Sequence, residues 1–232
     1  MIKKIKQKWR RKRLALNGIT ETRQVSQQVV GSGGGQWVVS PLGLSNNSVI
    51  YSFGAGTDIS FDLDMQKHFG CKVHVFDPTP RSIEWINQQQ LPDGVDFHPC
   101  GIANHDGSIT FYPPRRESSS HFSPVPRYRN ESSGQPVEAP VNRLSTLMQQ
   151  LGDTKIDVLK IDIEGGEYDV LPDILSSGFT INQLLLEFHH AYATIPYAKT
   201  LDAVTQIKRA GFDLFYISER TYEMSFIHNR VS

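Results

Sequence analysis

After about residue 36 the chain alternates between two kinds of pattern. Short runs of aliphatic, β-branched and aromatic residues fall at 49–53, 72–76, 95–98, 158–161, 184–188, 214–217 and 224–228, each of strand length. Between them, apolar positions recur at helical spacing over 58–69, 80–89, 144–151, 167–175 and 201–210. Pro80 stands where a first helical turn tolerates a missing N–H. Gly70, Gly152 and Gly211 follow three of the helical stretches, where a left-handed residue closes a helix. The alternation predicts an α/β domain with a mostly parallel sheet covered on both faces. Only "SERTYE" separates the last two runs, too short for a parallel crossover, so these predict an antiparallel hairpin at one edge of the sheet.

Two stretches break the rhythm. Residues 113–137, rich in Pro, Ser and Arg and without a period, read as a loop insertion that leaves just after the hairpin-like "GSITFY". Its departure point is near where the carboxyl edge of such a sheet holds ligand, so a lid is the alternative to a plain surface loop. Residues 1–35 read as a basic N-terminal extension to a domain spanning 36–232. Lys3, Lys4, Lys6, Lys8, Arg10, Arg11, Lys12 and Arg13 put 8 of the 24 basic residues in the first 13 positions, whereas all 24 acidic residues come later. The zero formal charge therefore hides a body of net charge −8. Ile2, Ile5, Trp9 and Leu16 fall on one side of a helical wheel, so a basic amphipathic helix at an anionic membrane surface, or against nucleic acid, is one reading. The commoner fate of such a segment is a solvated, frayed terminus, and that is the expectation, with weak membrane-surface contact and no specific nucleic acid as partners.

Length and composition narrow the classes. The chain has 232 residues, 38% of them hydrophobic, enough for one sizeable core. Cys71 and Cys100 stand far apart in no metal-type spacing, which points away from a disulfide framework or a zinc site and towards buried thiols in a reducing compartment. No stretch approaches the roughly 18 apolar residues of a membrane span, and no secretory h-region opens the chain. A soluble, cytoplasmic protein is expected.

The first chemical signal is "YSFGAGTD" at 51–58, a strand end, a glycine turn and an acid. Asp77 ends the second strand 23 residues after Gly54, a spacing that suits a carboxylate accepting from ribose hydroxyls. A dinucleotide fits poorly, because Ile59 occupies the third glycine position and Asp58 puts negative charge where pyrophosphate seeks a bare helix amino terminus. S-adenosylmethionine, with adenosine, ribose and a cationic sulfonium but no phosphate, fits better. The second signal is "DVLKIDIEGGEYDVL" at 157–171, where an apolar strand ends in Asp162 and Glu164 before two glycines. Helix amino-terminal charge accounts for Glu167 and for Glu164. It accounts less well for Asp162, since carboxylates clustered at a strand end are costly unless solvated, paired or used.

With these residues the chain resembles the FkbM-type S-adenosylmethionine-dependent methyltransferases. The likeness runs from "SVIYSFGAGTDISFDLDMQKHFGCKVHVFDPTP" through "CGIANHDGSITFY" and "VNRLSTLMQQLG" to "VLKIDIEGGEYDVL" and "QLLLEFHH". The resemblance implies a Rossmann-like, seven-stranded, mostly parallel sheet with an antiparallel edge hairpin, the class I methyltransferase fold. It also implies methyl transfer, commonly to a hydroxyl of a small molecule or glycan. By position it places Gly54, Ala55 and Gly56 along the methionine and ribose, Asp77 at the ribose hydroxyls, and Gly101 and Ile102 beside the adenine. Ser52 and Phe53 stand where many methyltransferases carry an acid, and Asp58 is the nearest candidate for that carboxylate. Asp162, Glu164 and His189 are the candidate catalytic groups beside the acceptor, since an alcohol needs a base or a metal to attack at neutral pH. Asp162, Glu187 and His189 are the candidate ligands of a divalent ion. His190 reads as a strand-end histidine bonded to a loop. An NAD-dependent oxidoreductase, a non-catalytic nucleotide-binding module and an interaction protein working through the basic terminus are the other readings.

Overall fold

The structure is a computed structural model that describes residues 2–114, 120–126 and 135–232. Helix α1 (Ile2–Leu16) is followed by an antiparallel pair, β1 (Gln28–Val30) and β2 (Trp37–Val39), with a 3-10 turn at Gly33–Gly35 between them. Next come β3 (Val49–Phe53), α2 (Ser60–Phe69), β4 (Lys72–Phe76), α3 (Pro80–Ile86) and β5 (Val95–His98). Strands β6 (Gly101–Ile102), β7 (Gly107–Phe111) and β8 (Val137–Asn142) form a small sheet of their own. The chain ends with α4 (Leu144–Leu151), β9 (Lys155–Ile161), α5 (Glu167–Ser176), β10 (Thr180–Glu187), α6 (Tyr197–Arg209), β11 (Phe212–Ile217) and β12 (Glu223–His228).

The main sheet has seven strands in the order β11-β12-β10-β9-β3-β4-β5, parallel except around β12. This is the mostly parallel sheet with an antiparallel hairpin that the pattern predicts, with β12 lying between β10 and the edge strand β11. Strand order reverses between β3 and β9, and the crevice outside their carboxyl ends is where such a sheet binds ligands. Period-2 alternation sends Tyr51 and Phe53 to one face, with Leu159, Ile161, Val170, Ile174 and Val204. Ile50 faces the other way, with Val73, Val75, Phe61, Met65 and Leu185. Each of these large side chains, removed from water, contributes about 1.5–3 kcal/mol.

Several boundaries differ from expectation. Helix α2 starts at Ser60 and α3 ends at Ile86, while α6 starts at Tyr197, four residues before its apolar period becomes visible. Strands β1, β2, β6 and β8 have no strand signature long enough to read. The amino-terminal segment is not frayed. Leu14 and Ile19 are 1% and 4% exposed in the main core, and the Arg11 guanidinium donates to the Ile217 carbonyl at 3.0 Å. Arg10 lies over the Tyr222 ring at 4.9 Å and Arg13 over the Tyr197 ring at 3.7 Å. Of the insertion at 113–137, residues 115–119 and 127–134 lie outside the described residues, and Val137 already belongs to β8. Cys71 and Cys100 are free thiols. Among the described residues no helix is long and apolar enough to cross a membrane.

Candidate active site

Gly54 and Gly56 carry φ of 89° and 54°, the left-handed region that makes glycine the natural residue for the turn leaving β3. A Cβ on Gly54 would lie 1.7 Å from the Asp162 carbonyl oxygen, so the turn also sets how closely β3 and β9 approach. Asp77 is 5% exposed. Its Oδ2 accepts from the Gly56 N–H at 2.8 Å, and its Oδ1 accepts from the Thr79 N–H at 2.9 Å and hydroxyl at 2.6 Å. Asp77 thus joins two turns besides facing the cavity. Burial raises its pKa, with the Thr79 and Gly56 hydrogen bonds opposing. Asp58 accepts from the Ser60 N–H at 2.9 Å as α2 begins and from the Gly35 N–H at 3.1 Å, which ties the 3-10 turn to the site. Gly54, Ala55, Gly56, Asp58, Asp77, Gly101 and Ile102 line a single cavity of about 480 Å³ that Asp162 and Glu164 also border.

The same cavity exposes a pair that the sequence reading missed. Asp62, on the buried face of α2, is 2% exposed, and burial pushes its carboxyl up to about 6 against the pull of Lys160. Lys160 is 5% exposed and donates to the carbonyls of Phe53 and Gly54, each at 3.4 Å, beneath the Trp37 ring. Both side chains border the cavity. The Ser52 hydroxyl lies against the Asp62 carboxyl and, like Lys160, favours its ionised form. The available signal is a charged residue in an otherwise apolar slot: Lys160 inside the strand "VLKI", and Asp62 one residue after the buried Phe61.

At the ends of β9 and β10 the candidate catalytic groups meet. His189 Nε2 lies 3.3 Å from Glu164 and 3.8 Å from Asp162, and its Nδ1 lies 3.1 Å from Glu167. Glu167 is fully buried; besides the His189 ring it accepts from the backbone N–H of His189 at 2.9 Å and of Gly165 at 2.9 Å. Burial of His189 favours its neutral form, yet the Glu167 and Glu164 carboxylates outweigh that and hold its pKa well above the ordinary 6.5. These carboxylates thus favour the imidazolium form of His189 and make it a poor proton acceptor. Asp162 keeps part of its surface on the cavity; burial raises its carboxyl's pKa, with Lys160 and His189 opposing. Glu164 has a φ of 56°, unusual for a non-glycine, and is held by Tyr192, by His121 at 2.6 Å and through its carbonyl by Ser123 at 2.5 Å. Residues 120–126 thus pack over the "EGG" turn. His190 bonds Thr200 at 3.1 Å, a residue of α6 and not of the loop expected.

The metal-ligand expectation needs one correction. Asp162, Glu164 and His189 offer ligand atoms within 4.8 Å of one another, and Glu187 is not part of that set. Glu187 turns to Arg220 at 3.6 Å, with its carboxyl pushed up to about 8 by burial and then by the charge of Asp162.

A stability test follows from His189. Its folded pKa is raised, so its contribution is complete below the unfolded value near 6.5 and is lost as pH rises through the folded value. In metal-free buffer the Tm difference between the wild type and His189→Gln is therefore expected to be largest in mild acid and to shrink as pH climbs past neutrality. Thermal denaturation across pH checks this, and a gap that widens with pH would contradict it.

Comparison with known proteins bears on what this geometry serves. A family model described as "Methyltransferase FkbM domain" matches residues 51–214, from β3 into β11. The chain belongs to the FkbM methyltransferase family. A curated relative, "Probable methyltransferase-like protein 24" of Homo sapiens, is 29% identical over 149 residues, which cover 60% of this chain and 32% of that protein. The chain thus matches less than half the length of that relative. "Methyltransferase 1" of Beauveria bassiana (strain ARSEF 2860) is 26% identical over 170 residues, 63% of this chain and 68% of that one. Among solved structures, the Methanococcus jannaschii fibrillarin pre-rRNA processing protein aligns with a TM-score of 0.48 at 11% identity, over 90% of this chain and 86% of that one. Within the FkbM match lie the glycine turn, Asp77, Asp162, Glu164 and His189, whereas Trp37 and Gly35 come from the segment before it.

Proposed function

We propose that this FkbM-family chain moves the methyl group of S-adenosylmethionine to a hydroxyl oxygen of a small molecule or glycan. One observation carries the reading: a single cavity joins a glycine turn guarded by acids, Asp58, Asp62 and Asp77, to the Asp162 carboxylate at the neighbouring strand end. Such a turn disfavours pyrophosphate and suits a cationic nucleoside. The residues fit the cofactor. The buried Asp62 carboxylate suits an ammonium group and Lys160 a carboxylate, so these two complement the zwitterionic methionine end. Asp77 would accept from the ribose hydroxyls, and Gly101 with Ile102 would flank the adenine. When bound, the cofactor supplies an electrophilic methyl. The chain's own part is to align the acceptor oxygen and to receive its proton on Asp162 as the new bond forms. His189, positively charged beside Asp162, steadies that carboxylate's anionic form until the proton arrives.

A divalent cation is the second reading, favoured by the spacing of Asp162, Glu164 and His189. It requires the cation to displace the His189 proton from Nε2, while Glu167 keeps hold of Nδ1. Turnover that disappears with a chelator and returns with Mg²⁺ or Mn²⁺ would select it. The first reading is tested by calorimetry. S-adenosylmethionine is expected to bind, and Asp77→Ala to weaken it about tenfold or more through loss of a bidentate acceptor. Absence of binding heat at excess ligand, or heat with NAD instead, would refute the cofactor assignment. A panel of hydroxylated metabolites and glycans, read by mass spectrometry for the gain of one methyl group in place of hydrogen, then identifies the acceptor.

A further inference from the structure

Helix α1 is attached to the fold by one face and leaves an apolar face outside. On the attached side Leu14 is 1% exposed, Arg11 bonds the Ile217 carbonyl, and Arg10 and Arg13 stack on Tyr222 and Tyr197. Trp9 and Leu16 are exposed, at 62% and 78%, with the Arg13 guanidinium at one edge of this face, 5.7 Å over the Trp9 ring. With Lys12 between them, they are spaced by three and four positions and so share one side of the helix. Lys6, Lys8 and Lys12 are exposed as well, and no acidic residue occurs before Glu21. Exposed apolar side chains bordered by lysines, on a helix whose other face is already bound to protein, have the pattern of a helix lying in a lipid headgroup layer. A nucleic-acid surface would use the lysines but gains little from Leu16.

We infer that α1 is an interfacial helix that docks the chain on an anionic lipid surface through Trp9, Leu16 and Lys12. Opposite charges sit on the two parts of the molecule, since the body outside the first 13 residues carries −8. An anionic surface therefore attracts α1 and repels most of the rest, which fixes orientation. Gln7 and Arg10 reach Glu219 and Arg220 in the β11–β12 turn, and Arg220 lies 3.6 Å from Glu187 at the carboxyl end of β10. Docking thus holds the carboxyl end of β10, which leads into His189, near the lipid. This part of the inference rests on the proposed methyl transfer and narrows its acceptor to a hydroxyl compound carried in, or partitioning to, a membrane.

Co-sedimentation of the full chain with vesicles of phosphatidylcholine alone and with added phosphatidylserine tests it. Binding is expected only to the mixed vesicles. Lys6→Gln, Lys8→Gln and Lys12→Gln together should lower the partition coefficient about a hundredfold, and Trp9→Ala with Leu16→Ala by about tenfold or more. Wild-type fluorescence should shift to the blue on binding, and the shift should disappear in Trp9→Ala. No binding to the mixed vesicles, equal binding by the Trp9→Ala/Leu16→Ala chain, or tighter binding to RNA than to lipid would overturn it. Because none of these readouts involves methyl transfer, a failure here is distinguishable from a failure of the enzymatic reading, which calorimetry with S-adenosylmethionine reports separately.

Discussion

Asp162→Asn is expected to lower kcat by about 10²–10⁴-fold while leaving the affinity for S-adenosylmethionine within a small factor of the wild type. Asparagine keeps the size of the side chain and its place after β9, but it cannot accept the acceptor's proton. Its neighbours make the substitution informative. The Glu167 and Glu164 carboxylates favour the imidazolium form of His189, which makes it a poor substitute acceptor for the proton. Glu164 shares the Nε2 edge of the imidazole with Asp162 but is already engaged by Tyr192 and His121. Steady-state kinetics, paired with calorimetry on the same preparation, separates the two effects. A variant that turns over within about tenfold of the wild type would show that proton transfer runs through another group, and Glu164→Gln would be the next chain to measure.

The second large effect is structural. In Gly54→Ala the new methyl would sit 1.7 Å from the Asp162 carbonyl, on a residue whose φ of 89° already excludes ordinary side chains. No rotamer relieves a Cβ clash, because backbone geometry alone fixes that atom. Relief requires β3 and β9 to separate where the Asp162 N–H donates to the Phe53 carbonyl at 3.1 Å, in the middle of the main sheet. A loss of about 3–5 kcal/mol is expected, read as a lower denaturation midpoint with an unchanged m-value. A loss under about 1 kcal/mol would mean that the turn can open without disturbing the sheet.

The main sheet is legible in the sequence because its central strands are buried on both faces. Continuous apolar runs such as "VIYSF" and "KVHVF" then stand out from their surroundings. The small sheet is not legible for the opposite reason: β6 is two residues long, and β8 offers only Ala139 and Val141 to the core around Pro140. The glycine turn and the strand-end acids were readable, since few roles other than ligand contact explain acids at the carboxyl edge of a parallel sheet. Asp62 and Lys160 were not. A helical wheel or a strand pattern treats a charge as solvent-facing, and only the packing of α2 and Trp37 over β9 reveals these two as interior. The charge state of His189 was hidden likewise. Glu167 reads as an ordinary acid in a first helical turn, and the fold alone brings it against a histidine 22 residues later.

The tie between Asp58 and Gly35 has a practical meaning for anyone trimming this protein. The strand and helix pattern begins near residue 36, which invites a cut there, but Gly34 and Gly35 form part of the cavity wall and Gly31, just after β1, donates to Asp64 on α2. A shortened chain would keep every residue of the family match and lose one side of the cavity. The smallest self-sufficient fold therefore begins upstream of the segment that carries the family signature.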